Sequence, residues 1–230
     1  AILILGVLNF NVLITSATSG EGRTTTVCNL GLILAKAGAR VVIVDADLRN
    51  PSIARSLGIA ASPGLTDVLG STESLKTAVR PVGPTLDALP SGVCPPNPSE
   101  LLGSKRMTDL LTSLCEMYDV VLVDSAPLLP VTDAAVLAPR VDATLLVVRY
   151  GRTHVQDVYA ARDALHAVSG RILGGADDGP QRGPAQAGPA EALVGQVDAE
   201  CPAVGERGGA HVRGAAHVVA AVVSTASPTE

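Results

Sequence analysis

Apolar residues follow two rhythms along this chain. Short runs rich in Val, Leu and Ile occur at 11–16, 41–44, 86–89, 120–123 and 143–148. Runs this short, with little polar alternation, suit strands covered on both faces, as in a central parallel sheet. Between them, apolar side chains recur three or four residues apart: Val27, Leu30 and Leu34; Met107, Leu110, Leu111, Leu114 and Met117; Val155, Val158, Leu165 and Val168. This spacing predicts helices over about 23–37, from Pro98 through Met117, and from Val155 to Gly170, with Gly38 placed as a left-handed cap on the first. At 97–100, N-P-S-E reads as a helix start, with Asn97 as N-cap, Pro98 in the first position and Glu100 reaching back as in a capping box. Residues 53–79 hold short amphipathic pieces broken at Ser62-Pro63-Gly64 and Gly70-Ser71, and Asp133 begins or lies in a short helix. Strands alternating with helices predict an α/β fold, a doubly wound and mostly parallel sheet with its ligand site at the carboxyl edge.

Polar residues gather where the strands end. The first strand runs into S-A-T-S-G-E-G-R-T-T-T, residues 16–26. Glycines at Gly20 and Gly22 permit a tight turn and a close approach of backbone to ligand, and the amides of the following helix start carry the positive end of its dipole. Phosphate is the natural guest, and Thr24 and Thr25 fall where a P-loop needs a hydroxyl for a magnesium ion. Against the pattern G-x-x-x-x-G-K-[ST], Arg23 stands in place of lysine and Ala17 in place of the first glycine. The second strand ends in Asp45-Ala46-Asp47-Leu48-Arg49, and the strand at 119–124 closes on Asp124. An apolar strand ending in an acid, in a chain with a P-loop, matches the carboxylate that holds a magnesium shell through water. Asp47 also suits a capping role at the turn before Pro51.

Composition narrows the classes. The chain of 230 residues has room for one α/β domain, and a formal charge of -5 without a basic cluster gives no support for nucleic-acid binding. Cys28, Cys94, Cys115 and Cys201 lack C-x-x-C spacing and read as reduced residues, neither disulfides nor a zinc site. Residues 1–14 are apolar but have no basic start, are interrupted by Gly6, Asn9 and Asn11, and fall short of the roughly 20 residues of a membrane helix. A first residue of alanine fits a fragment of a longer chain. His154 and His166 have no partner at ligand spacing, and Tyr118, Tyr150 and Tyr159 are isolated and read as packing residues rather than phosphorylation sites.

Four strings together carry a resemblance: residues 16–26; V-V-I-V-D-A-D-L-R-N-P at 41–51; L-P-S-G-V-C-P-P-N-P-S-E-L-L at 89–102; and V-V-L-V-D-S-A-P-L-L-P-V-T-D-A at 120–134. Over about 11–175 the chain resembles the bacterial tyrosine kinase (BY-kinase) family, P-loop proteins within the deviant-Walker class of ParA- and MinD-like ATPases. The resemblance implies an ATP-dependent tyrosine autokinase in the biosynthesis or export of extracellular polysaccharide. ATP and Mg2+ would be its cofactors, and its partner a membrane adaptor of polysaccharide co-polymerase type. A cytoplasmic place at the inner face of the membrane follows, reached through that partner or a segment missing from the N-terminus, and homo-oligomers are possible. By motif, Ser19, Gly20, Glu21, Gly22, Arg23, Thr24 and Thr25 would bind the nucleotide. Thr24 would take the metal directly, Asp45 would orient or deprotonate the acceptor hydroxyl and contact the metal, Asp47 and Arg49 would support it, and Asp124 would hold a metal-bound water.

The departures define the alternatives. Arg23 keeps the charge of the expected lysine but is planar and larger. No arginine-containing helix of the ring-forming kind precedes Asn11, and no tyrosine cluster follows in the tail. These favour a catalytically weak nucleotide-binding regulator or co-polymerase component. A ParA/MinD-like partition ATPase is disfavoured by the P-P-N-P-S-E-L-L loop and by Thr18 where a second lysine would stand. An iron-sulfur ATPase is disfavoured by the cysteine positions. The kinase-like domain is read as 1–175. The tail at 176–230, with Leu193 its one leucine and no Ile, Lys, Asn, Met, Phe or Tyr, is too poor in large apolar residues to fix its backbone and is expected to be disordered. Its abrupt start inside a predicted strand suggests a lost reading frame, which translation of the DNA in the other two frames beyond Gly175 tests.

Overall fold

The computed structural model describes residues 9–173, together with the strands Gly195–Val197 and Val218–Ala221. In chain order come β1 (Phe10–Ser16), α1 (Arg23–Lys36), β2 (Val41–Ala46), α2 (Ile53–Leu57), α3 (Leu65–Leu69), α4 (Leu75–Ala78), β3 (Arg80–Pro81) and β4 (Leu86–Leu89). Then follow α5 (Pro98–Leu102), α6 (Lys105–Met117), β5 (Val120–Ser125), α7 (Asp133–Leu137), a 3-10 turn at Ala138–Arg140, β6 (Ala143–Arg149), α8 (Val155–Ala167), β7 (Gly195–Val197) and β8 (Val218–Ala221).

The sheet runs β3-β4-β2-β5-β1-β6-β8-β7. Its centre, β4-β2-β5-β1-β6, is parallel throughout, while β3, β7 and β8 pair antiparallel. Two apolar layers enclose it. On one face Val12, Ile14, Val41, Ile43, Leu122, Leu145 and Val147 pack with Val27 and Cys28 of α1 and Ile53 of α2. On the other, Leu13, Val42, Val44, Val121, Val123 and Leu146 meet Leu65 of α3, Met107, Leu111 and Leu114 of α6, Leu137 of α7 and Leu165 of α8. Leu13, Ile14, Ile43 and Leu122 are wholly inaccessible, and burying each such side chain contributes about 1.5–3 kcal/mol, more than any strand propensity. Burial on both faces is therefore why these runs show no polar alternation.

Two expectations change. The helical pattern from Pro98 to Met117 is two helices, because α5 ends at Gly103 and Ser104 caps α6 by accepting the Met107 N–H. Asn97 makes no side-chain cap to the backbone; its amide instead donates to the Glu100 carboxylate at 2.5 Å. The antiparallel edge strand β3 carries no periodic signal at all, being two residues long. The predicted last strand survives as a parallel bridge from Thr144 to Ile172. Most of 176–230 lies outside the described residues. Two strands come from it, and β8 adds antiparallel to the free edge of β6. Among the described residues, no helix is long and apolar enough to cross a membrane.

Candidate nucleotide-binding site

Because β1, β2, β5 and β6 run parallel, their carboxyl ends share one rim of the sheet. The turn at 17–22 leaves β1 on this rim and feeds α1. Gly20 and Gly22 have φ of 79° and 95°, where a Cβ is penalised. Gly22 is the N-cap of α1, with no side-chain cap bond and no acid in the first turn, so the first-turn amides are left uncapped by the chain's own side chains. Nothing lies within 4 Å of a Cβ built on Gly20, which with Ser19 is exposed at the tip. Thr25, on the first turn of α1, is exposed as well.

The loop is braced from beneath. Glu21, grouped with the nucleotide-binding residues from sequence, is 2% exposed and turns its carboxylate inward. It accepts the Thr18 N–H at 3.0 Å and the Thr153 hydroxyl. Arg149, at the end of β6, donates from Nη1 to the Gly20 carbonyl at 3.1 Å. Arg23 also folds under the loop. Its Nη1 donates to Ser16 Oγ at 2.5 Å and to the Thr18 carbonyl at 3.2 Å, and its Nη2 to Asp47 Oδ2 at 3.3 Å, with Nε buried and unpartnered.

The acids lie beside it. Asp45 and Asp124 are paired neighbours in the β2–β5 register, 0% and 1% exposed. Thr24 Oγ1 donates to Asp124 Oδ2 at 2.7 Å, with Ser52 Oγ a further 2.7 Å from that hydroxyl. Asp45 Oδ2 accepts the N–H groups of Ser52 and Ile53, at 3.1 and 3.0 Å, so it is Asp45 that caps α2. The second oxygens, Asp45 Oδ1 and Asp124 Oδ1, are buried with no hydrogen-bond partner. Burial pushes both carboxyls up to about 7, against the backbone hydrogen bonds that lower Asp45 and the Thr24 hydroxyl and Arg23 charge that lower Asp124; Asp47 adds to the rise of both, and Asp45 to that of Asp124.

The string D-A-D-L-R thus splits three ways. Asp45 faces Asp124. Asp47 takes Arg23 on Oδ2 and the Asn50 N–H on Oδ1 at 3.0 Å, so it joins the loop and caps the turn together. Arg49 turns away from the 20–25 loop to Asp133, with Nε–Oδ2 2.8 Å and Nη2–Oδ1 3.1 Å, while Ser99 donates to the same carboxylate. Asp133 is fully buried, and this pair ties the end of β2 to the starts of α5 and α7. Sequence reasoning did not assign Ser16, Ser52, Ser99, Asp133, Arg149 or Thr153 to the site. Ser52 and Asp133 at least sit where a turn and a helix start are legible; nothing local announces Arg149 or Thr153.

Magnesium suits this donor set. Two buried carboxylate oxygens without partners and one hydroxyl are hard oxygen ligands, and Mg2+ is ordinarily held by one or two carboxylates completed by phosphates and water. Among the described residues no three His, Cys, Asp or Glu side chains converge, so the protein alone offers no closed metal cage.

Comparison with known proteins agrees with this geometry. Residues 12–172 match the model of the CobQ/CobB/MinD/ParA nucleotide binding domain. The tyrosine-protein kinase YwqD of Bacillus subtilis is 39% identical over 165 residues, covering 71% of this chain and 70% of that protein. The putative tyrosine-protein kinase EpsB of Ralstonia nicotianae is 39% identical over 164 residues, but the match spans only 22% of its length. Among solved structures, the kinase domain of the Escherichia coli tyrosine kinase ETK superposes with a TM-score of 0.70 at 32% identity, covering 74% of this chain and 67% of that one. The chain therefore belongs to the CobQ/CobB/MinD/ParA nucleotide-binding family and, within it, to the bacterial tyrosine-protein kinases.

Proposed function

We propose that this chain is an ATP-dependent tyrosine kinase domain acting in extracellular polysaccharide biosynthesis, together with a membrane adaptor. The observation that carries the reading is the Thr24–Asp124 hydrogen bond beside Asp45, which sets a hydroxyl and two unpartnered carboxylate oxygens against the start of α1. Main-chain N–H groups at 20–25 would cradle the phosphates of ATP. Thr24, Asp45 and Asp124 would hold Mg2+, directly or through water, and the ion would supply neutralisation of charge on the phosphates. Asp45, with its carboxyl near 7, is suited to orient an acceptor phenol and take up its proton. Asp47 positions Arg23, and Arg49 fixes the P-P-N-P-S-E-L-L loop through Asp133 and Ser99. The domain would comprise 1–175, with β7 and β8 of the tail added at the edge of its sheet.

A second reading, a nucleotide-binding regulator that transfers no phosphate, is favoured by Arg23, whose side chain is 11% exposed and whose guanidinium is engaged by Ser16, Thr18 and Asp47. A transfer assay with labelled ATP, Mg2+ and the cytoplasmic tail of a membrane adaptor separates the two. Label on tyrosine that disappears in Asp45→Asn supports the kinase. Nucleotide binding without transfer, in the natural chain and in Arg23→Lys alike, supports the regulator.

A further inference from the structure

The sequence contains three tyrosines, and their surroundings differ sharply. Tyr118 ends α6, just before the amino end of β5, and so lies at the edge of the sheet opposite the phosphate loop. Its hydroxyl donates to Asp87 Oδ2 at 2.6 Å, and burial and that carboxylate together push its ionisation well above the ordinary tyrosine range. Tyr159 lies in the body of α8 with its ring 5.0 Å from the Arg162 guanidinium carbon. The packing expected of all three holds for Tyr118, whereas Tyr159 is 46% exposed and Tyr150 81%.

Its place is as telling as its exposure. Tyr150 follows β6, whose end shares the rim with β1, since Ser16 pairs with Val147. The residues on either side of it hold the phosphate loop. Arg149 donates to the Gly20 carbonyl, Thr153 donates to Glu21, and the turn is closed by the Thr153 N–H on the Arg149 carbonyl at 3.0 Å. Gly151, at φ 71°, makes the reversal. A phenol on a short, braced turn at the nucleotide rim is presented outward beside the phosphate loop, whereas Tyr159, also exposed at 46%, lies in the body of α8, and the Tyr118 hydroxyl is held by Asp87.

We propose that Tyr150 is the tyrosine of this chain that accepts phosphate. The inference rests on the kinase reading above. In the step, the Tyr150 phenolic oxygen forms a bond to the γ-phosphorus of ATP while the bond from that phosphorus to the β,γ-bridging oxygen breaks. ADP leaves with the electron pair, and the phenolic proton passes to Asp45, the base of the kinase reading. Arg149 and Arg152 flank Tyr150 in R-Y-G-R, and guanidinium groups so close in sequence are donors suited to a phosphate formed there. The donor nucleotide is bound by the same copy or by a second copy of this chain.

The test uses the full chain with Mg2+ and γ-labelled ATP, with a Glu/Tyr copolymer as an outside acceptor, and digestion before aspartate. This digestion puts each tyrosine on its own peptide: Tyr118 on 109–118, Tyr150 on 142–156 and Tyr159 on 157–162. Label concentrated on 142–156, and most of it lost in Tyr150→Phe while the copolymer is still phosphorylated, is the expected result. Label on 109–118 or 157–162 that persists in Tyr150→Phe overturns the proposal, as does labelled copolymer with an unlabelled chain; both leave the kinase reading standing. Absence of transfer to chain and copolymer alike overturns both. A mass-tagged Asp45→Asn copy mixed with the natural chain locates the donor: label on the tagged copy means transfer between copies, and label on the natural chain alone means transfer within one.

Discussion

Replacing Asp45 by asparagine should stabilise the nucleotide-free protein while removing its proposed function. Two carboxylates face each other between β2 and β5, and burial raises both from 3.8 to about 7, outweighing the charge of Arg23 that lowers Asp124. Such a shift, about 3 units at about 1.4 kcal/mol each, corresponds to about 4 kcal/mol per group. The two acids share one site, so neutralising one relieves the other, and about 2–4 kcal/mol is the expected gain for Asp45→Asn at pH 8. An asparagine keeps an oxygen for the Ser52 and Ile53 N–H groups and places an amide beside Asp124. The sign follows from proton uptake: between about pH 4 and 7 the folded state binds protons that the unfolded state has lost, so the stability these groups confer is present at low pH and is lost as pH rises through 7. Urea unfolding of the natural chain and the variant, from pH 5 to 8 without nucleotide or metal, reads both quantities. The natural chain should weaken towards pH 8, and Asp45→Asn should weaken less and cross above it. A variant less stable than the natural chain at pH 8, or one with an unchanged pH slope, would mean that the buried pair does not set this pH dependence.

Thr24→Val removes the hydroxyl that meets Asp124 and leaves Asp124 Oδ2 without that donor, costing about 1–3 kcal/mol in stability. If Thr24 also binds the metal, affinity for magnesium-ATP, read by calorimetry, falls at least about tenfold, and Thr24→Ser restores both. Asp133→Asn weakens the two bonds from Arg49; because Arg49 is 40% exposed, the loss should be about 1–2 kcal/mol rather than the larger cost of a fully buried pair. Faster proteolysis near 90–104 would accompany it. Asp47→Asn loosens Arg23 and distinguishes two roles: if Asp47 orients Arg23, ATP affinity falls, whereas if it sequesters Arg23, affinity rises, and an unchanged affinity denies Arg23 a part in either.

Much of this was legible because local physics decides it. The continuous apolar runs announced strands covered on both faces, and the string at 16–26 announced a phosphate loop with a helix behind it. Asp45 and Asp124 were legible from position alone, since strands ending at one rim bring their terminal acids together. The partners were not. Arg23 meets Asp47, Arg49 meets Asp133 and Glu21 meets Thr153 across 24, 84 and 132 residues of sequence, and no local pattern encodes which long side chain reaches which. Likewise the apolar face from Pro98 to Met117 hid a break at Gly103, because both helices pack on the same layer and keep its periodicity.

The balance of charge in the site bears on what the substitution at position 23 means. Asp47 is answered by Arg23 within the protein, and its Oδ1 by a backbone amide, so nothing about Asp47 requires a ligand. Asp45 and Asp124 are answered only by neutral donors, and each retains an oxygen with no partner. The protein is therefore complete around one acid and incomplete around two, and what would complete it is a cation arriving with its own oxygen ligands, as a metal on a nucleotide does. Lysine in that place would have one extended ammonium to offer either to Asp47 or to a phosphate. The guanidinium spans Ser16, Thr18 and Asp47 at once with separate N–H groups, so moving it towards a phosphate gives up several bonds together. If it stays, the nearest other guanidinium on the loop is that of Arg149, already on the Gly20 carbonyl. Binding of the metal nucleotide and efficient transfer of its phosphate are thus separate demands here: the acids on β2 and β5 serve the first, and the second depends on whether Arg23 leaves its pocket.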